Sequence, residues 1–166
     1  MKLEIVTKGN KTLITPTEEL SIEEIESVGL QELILNMHDT LEESKNGVAL
    51  AAPQVEASKR IFIVAPFVYD MEENLETEIQ TVFINPKIIW RSNDKKRMEE
   101  GCLSIPGVTG FVKRSTRVTV EAQDRKGERF KIDGRGLLAQ IFQHEIDHLD
   151  GILFDTKATD LRNNEE

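Results

Sequence analysis

The spacing of apolar residues changes period along the chain, and each change marks an element. Residues 3–6 (LEIV) read as a short strand, followed by a Gly9-Asn10 turn. From 17 to 44 the spacing is helical, with Leu30, Leu33, Ile34, Met37 and Leu41 on one face. Thr17 is the candidate N-cap, with Glu18 and Glu19 suiting the positive end of the helix dipole. Gly29 weakens the run, giving one helix over 30–44 or two pieces joined near Gly29. His38 falls off the stripe and reads as a partly exposed surface residue. Residues 60–68 (RIFIVAPFV) are a continuous apolar run expected as a buried strand, and the acidic, broken stretch 69–81 as an exposed loop. Residues 82–84 and 87–90 flank Asn85-Pro86, a strand with a bend. The charged stretch 92–98 is expected to be solvated, and Pro106-Gly107 to form a type II turn. Residues 117–123 alternate, with Val118, Val120 and Ala122 inward, and 129–132 answer them across a turn at 124–127.

The last periodic run, 136–151 (GLLAQIFQHEIDHLDG), carries two of the three histidines four residues apart. At helical pitch His144 and His148 lie one above the other, continuing the stripe of Leu137 and Ile141. Gly136 and Gly151 sit where the helix would begin and end, Gly151 fitting a C′ position. With Glu145 between them the pair reads as H-E-x-x-H, two imidazoles for one metal and a carboxylate placed to handle its water. Two packed core histidines explain the same pattern, so the rest of the chain has to decide. After the helix, 152–154 is a short apolar piece, and 157–166 is a polar tail expected to fray.

The 166 residues suit one domain over 1–156 with that tail. A formal charge of −9 and the lack of a basic run argue against nucleic acid and anionic lipid as partners, and the high charge suits a monomer. No apolar stretch approaches the roughly 20 residues that span a bilayer. A single cysteine, Cys102, rules out an intramolecular disulfide. With no leader at the start, this points to a reducing, cytoplasmic setting.

A catalytic zinc-type site takes three protein ligands and leaves one position open. The third ligand here is Cys102, Asp150 or another acid of the tail. Cys102 is favoured, because a thiolate suits borderline metals and this one sits between Gly101 and a Pro-Gly turn. The small, apolar segment 46–54 (NGVALAAPQ) is too poor a helix former and too apolar for a free loop. It reads as a tight turn packed beneath the core, with room for backbone to come close.

Three segments in order, GVALAAPQ at 47–54, EGCLS at 100–104 and QHEIDH at 143–148, resemble the signature motifs of the peptide deformylases. FINP at 83–86 and SIPG at 104–107 are similar to the family's connecting segments, so the resemblance covers roughly residues 5–155. It implies an α+β fold, with antiparallel β-sheets around a central helix carrying H-E-x-x-H and an N-terminal helix. It implies hydrolysis of the N-formyl group from the formyl-methionine of new polypeptides at or near the ribosome, releasing formate. It assigns one divalent metal, commonly Fe²⁺ with Zn²⁺, Ni²⁺ or Co²⁺ as alternatives, to Cys102, His144 and His148, with a water in the fourth position. It makes Glu145 the general base and acid, and the Gln54 side chain and Leu103 backbone N–H the oxyanion donors. Substrate contacts fall on Gly47, Val48, Gly101, Leu137, Gln140 and Ile141. The small residues 47–49 would wall a site tight enough to exclude an acetyl methyl.

Three positions depart from the family pattern. Ala49 stands at a usual glycine, which predicts an ordinary φ there; Thr109 replaces a frequent arginine; and Gln140 puts an amide on a wall that is commonly aliphatic. A general H-E-x-x-H metallopeptidase and a non-enzymatic, metal-holding relative are the rival readings.

Overall fold

The computed structural model describes residues 1–71 and 78–164; residues 72–77, within the loop expected over 69–81, lie outside the described residues. Two antiparallel sheets flank one helix. The larger has the order β1 (Ala49–Ala51), β2 (Ile61–Val64), β3 (Val82–Arg91), β6 (Arg117–Gln123), β7 (Arg129–Arg135). The smaller joins β4 (Lys95–Cys102), β5 (Ile105–Ser115) and β8 (Thr159–Asn163) in that order. Helix α3 (Gly136–Leu149) touches all five strands of the large sheet and β5 of the small one, so its face is fixed from both sides. This is the single-domain α+β architecture that the resemblance implies.

The alternating strands behave as their patterns dictate. Val118, Val120 and Ala122 of β6 are buried, and β6 pairs with β7 through a turn in which Gly127 takes φ +81°. Asp124 Oδ1 accepts from the N–H groups of Lys126 and Glu128, holding that turn. The core centres on Phe62 and Phe83, stacked 4.5 Å apart, with Phe142 of α3 tilted over both. Gly134 has no side chain because Phe142 lies there: a Cβ would come within 2.8 Å of the ring. A smaller cluster of Leu13, Ile105, Val112, Leu153 and Phe154 fills the space under the β4–β5 hairpin.

Several expectations are corrected. The N-terminal helix forms as two pieces, α1 (Ile22–Glu26) and α2 (Val28–Glu43), but they join at Ser27, with Gly29 in the first turn of α2. Ser21 and Ser27 cap them, Ser21 in a capping box with Glu24. Thr17 instead donates its N–H and its hydroxyl to Leu149 O, closing the end of α3 rather than starting a helix. Residues 3–6 form no strand; Val6 N–H reaches Gln54 O and Leu3 N–H reaches Thr40 Oγ1. The run 60–68 is a strand only over β2 and turns into a 3₁₀ segment at Pro66–Asp70. The charged stretch 92–98 is solvated over 93–97, as expected, but from Lys95 it is strand β4 and not loop. The chain reverses at Leu103-Ser104, while Pro106 and Gly107 belong to β5, with Gly107 at φ +70°. Segment 46–54 is β1 followed by a 3₁₀ turn over Ala52–Val55, and Thr159–Asn163 of the tail pairs with β5 instead of fraying.

Candidate metal centre and cleft

Helix α3 presents His144 and His148 one turn apart, their ring centroids separated by 4.9 Å. Its end is fixed by Gly151 at φ +75°, where a Cβ would press on Ile14 O. The β4–β5 hairpin brings Cys102 to the same point, 3.3 Å from His148 Nε2. One ligand atom each from Cys102, His144 and His148 lies within 4.8 Å of the others. Asp150, the rival third ligand, is elsewhere and pairs with Arg60.

His144 is oriented by a residue that the sequence reading quoted but gave no task. Its Nδ1 lies 2.8 Å from Glu100 Oε1, which leaves Nε2 for a metal. Glu100 and Arg114 form a buried two-point pair, both bonds 2.8 Å, and Arg114 continues to Asp147 at 2.6 Å, where Lys157 also binds. Burial works against ionising Glu100, but the bonds from Arg114 and His144 win and hold its carboxyl down to about 2. The signal that could have found it is the general need of a ligating imidazole for a carboxylate partner.

The protein side chains by themselves set opposite tendencies in the two imidazoles. Burial disfavours the cation at His144, yet its bonds with Cys102 and Glu100 raise it to about 10; burial and the neighbouring His144 push His148 well below its ordinary value. A cation between the rings would take over the stabilising part that the His144 proton plays here. Glu145 is buried and its Oε2 has no hydrogen-bond partner; that burial lifts its carboxyl to about 7. His148 Nδ1 is likewise buried without a partner. A thiol, two imidazoles and an orphaned carboxylate are a donor set that fits a divalent metal with a water beside it.

The cluster opens into a cavity of about 790 Å³ lined by Gln54, Gly101, Leu103, Glu145 and residues of all three quoted motifs. Gln54 is buried, and its Oε1 accepts from Ala51 N–H at 2.9 Å. That bond turns Nε2 toward Ser104 Oγ at 3.2 Å and Cys102 Sγ at 3.5 Å. Gly47, Val48, Leu137, Gln140 and Ile141 line the same cavity. Gln140 donates to Glu99 O at 2.7 Å, so its amide is tied down rather than loose on the wall. Ala49 has an ordinary φ within β1, as expected. Gly47 has a second constraint besides the cavity: a Cβ there would overlap Ser44 Oγ and come within 2.7 Å of Leu41 Cδ1, at the end of α2.

Comparison with known proteins agrees with this geometry. The model of the family described as polypeptide deformylase matches residues 2–164. A peptide deformylase of Desulfitobacterium hafniense is 49% identical over 130 residues, 78% of each chain. One from Salinibacter ruber is 41% identical over 159 residues, 93% of this chain and 79% of its own. Among solved structures, a class I type b peptide deformylase from Acinetobacter baumannii bound to Met-Ala-Ser superimposes with a TM-score of 0.82 at 37% identity, covering 95% of this chain and 98% of that one. The peptide deformylase of Thermotoga maritima gives a TM-score of 0.83 at 30% identity, covering 96% and 99%. The motifs, the fold and these relatives agree: the chain belongs to the polypeptide deformylase family.

Proposed function

We propose that this deformylase removes the formyl group of N-formylmethionyl polypeptides with Cys102, His144 and His148 as ligands of one divalent metal and Glu145 as the proton carrier. The observation that carries the proposal is the convergence of one thiol and two imidazoles within 4.8 Å, beside a buried carboxylate oxygen that no protein group satisfies. Among the described residues no helix is long and apolar enough to cross a membrane. A thiol among the ligands suits a reducing compartment, here the cytoplasm, where the enzyme meets nascent chains at or near the ribosome.

A bound divalent cation supplies Lewis acidity, lowering the pKa of water toward about 7 and drawing charge from the formyl oxygen. The thiolate and imidazole set suits Fe²⁺, Zn²⁺, Ni²⁺ or Co²⁺, and Fe²⁺ is the working ion we propose. Glu100 holds His144 in the tautomer that ligation needs. Glu145, in its dry setting, takes a proton from the water that attacks the formyl carbon. It returns that proton to the amine nitrogen as the carbon–nitrogen bond breaks, leaving formate and a free amino terminus. Gln54 Nε2, aimed by the Ala51 bond, and the backbone N–H of Leu103 stabilise the negative charge that grows on the formyl oxygen.

Substrate enters as an extended strand. β1 ends the large sheet with one edge unpaired, and Ala49 with the preceding Gly47 and Val48 lines the cavity. Leu137, Gln140 and Ile141 receive the methionine side chain, and Gly101 leaves room for the backbone beside Cys102. That the Acinetobacter relative is solved bound to Met-Ala-Ser supports a peptide ligand for this chain too.

The test is formate release from formyl-Met-Ala-Ser by anaerobically purified, Fe²⁺-loaded protein, beside Glu145→Gln. The variant retains its metal and loses activity by about 10²–10⁴-fold. Full activity in the variant, or no formate from the wild type, would sink the proposal.

A further inference from the structure

β8 is unusual in that all five of its residues are exposed, so it contributes no side chain to the core. What docks it is nonetheless built into the sheet. Gly110 of β5, opposite it, has no room for a Cβ, which would come within 2.8 Å of Leu161 Cδ2 and 3.0 Å of Ala158 Cβ. Arg97 pairs with Asp160 and lies over the Phe111 ring, and Arg162 approaches the same ring from β8.

The residue after β8 is Asn164. Its N–H donates to Gly107 O at 2.6 Å, and its side-chain Nδ2 donates to Thr109 Oγ1 at 3.0 Å. The two ties fasten Asn164 along β5, and Gly107, Thr109 and Asn164 line the same cavity as Cys102 and Glu145. Thr109 presents a short hydroxyl that accepts from the amide of a residue from the far end of the chain, 55 positions away. Among the described residues no lysine or arginine lines this cavity; near Asn164 it is lined by Pro106, Gly107, Val108 and Thr109, so that end offers the peptide neutral contacts.

We propose that Asn164, positioned by Thr109 and Gly107, is a substrate-positioning residue for the part of the peptide downstream of the formylated residue. The proposal rests on the deformylase reading, because the formyl group must lie at the Cys102–His144–His148 cluster for the peptide to leave past the β4–β5 hairpin. Asn164 Oδ1, an acceptor not used in its bond to Thr109, offers a site for a peptide N–H.

The experiment compares formyl-Met-Ala-amide with formyl-Met-Ala-Ser-amide and a tetrapeptide amide, for wild type, Asn164→Ala and Thr109→Val, all loaded with Fe²⁺. Loss of one such bond raises KM for the longer peptides by about 3–10-fold in either variant, with kcat, metal content and melting temperature held. KM for formyl-Met-Ala-amide stays within error, and the double variant is no worse than the more affected single one. A KM that shifts equally for all lengths, or not at all, overturns the positioning role. If the wild type releases no formate from any of them, it is the deformylase reading that fails; if it does and the variants match it, only this inference falls.

Discussion

Glu100 Oε1 and His144 Nδ1 are 2.8 Å apart, although 44 residues separate them in the chain. The contact joins β4 to α3 at the point where the imidazole must not rotate, and Arg114 locks the carboxylate from behind. A ligating histidine whose outer nitrogen is held in this way loses less freedom when it takes a metal. Glu100→Gln, which keeps one acceptor for Arg114, therefore lowers metal affinity by about 10–100-fold with the fold intact. Competition with a chromophoric chelator measures this; unchanged affinity would contradict it.

The same carboxylate makes an acid-stability prediction. Its proton binds more weakly in the folded protein, at about 2, than at the ordinary 4.5, so its pairing stabilises the fold fully above that ordinary value and is lost as pH falls toward 2. Urea midpoints of metal-free wild type and Glu100→Gln accordingly converge as pH drops from about 5 to about 3. A gap independent of pH would assign the difference to packing alone.

Gly47 is constrained by the end of α2 as well as by its place on the cavity wall. Gly47→Ala forces Ser44 and Leu41 aside and costs about 1–3 kcal/mol of stability. A urea melt reads the loss directly. Unaltered stability would mean that the α2 terminus yields freely.

Asn85 sits at φ +51° in the bend of β3, and its side chain exchanges hydrogen bonds with both Leu20 N–H (2.8 Å) and Leu20 O (2.9 Å) and donates to Gln123 Oε1 (2.8 Å). Asn85→Ala strands all three partners in a backbone conformation that alanine dislikes, and costs at least about 2 kcal/mol. Calorimetry checks it, with formate release per folded molecule expected to persist.

Much of this molecule was legible because its chemistry is local. The four-residue histidine spacing, the Gly151 stop and the hairpin at 124–127 are each decided within a few residues. Cys102 could be singled out because the chain has no other thiol. Glu100 was not given a role, since only the fold brings it to His144. The break falls at Ser27 and not at Gly29, because the Ser27 side chain accepts from Leu30 N–H and so starts α2, with Gly29 inside its first turn. β8 and the first half of β4 escaped because their side chains face water, and a strand held by its backbone leaves no apolar pattern. Gly47 lines the cavity and also abuts Ser44 and Leu41, a second constraint that only the fold brings to it.

The account turns on Cys102 joining the two imidazoles around one cation. X-ray absorption of the Zn²⁺-loaded protein tests it most directly. The account predicts one sulfur at about 2.3 Å with two nitrogens at about 2.0–2.1 Å, and loss of the sulfur shell in Cys102→Ser. A wild-type spectrum with only nitrogen and oxygen neighbours would contradict it.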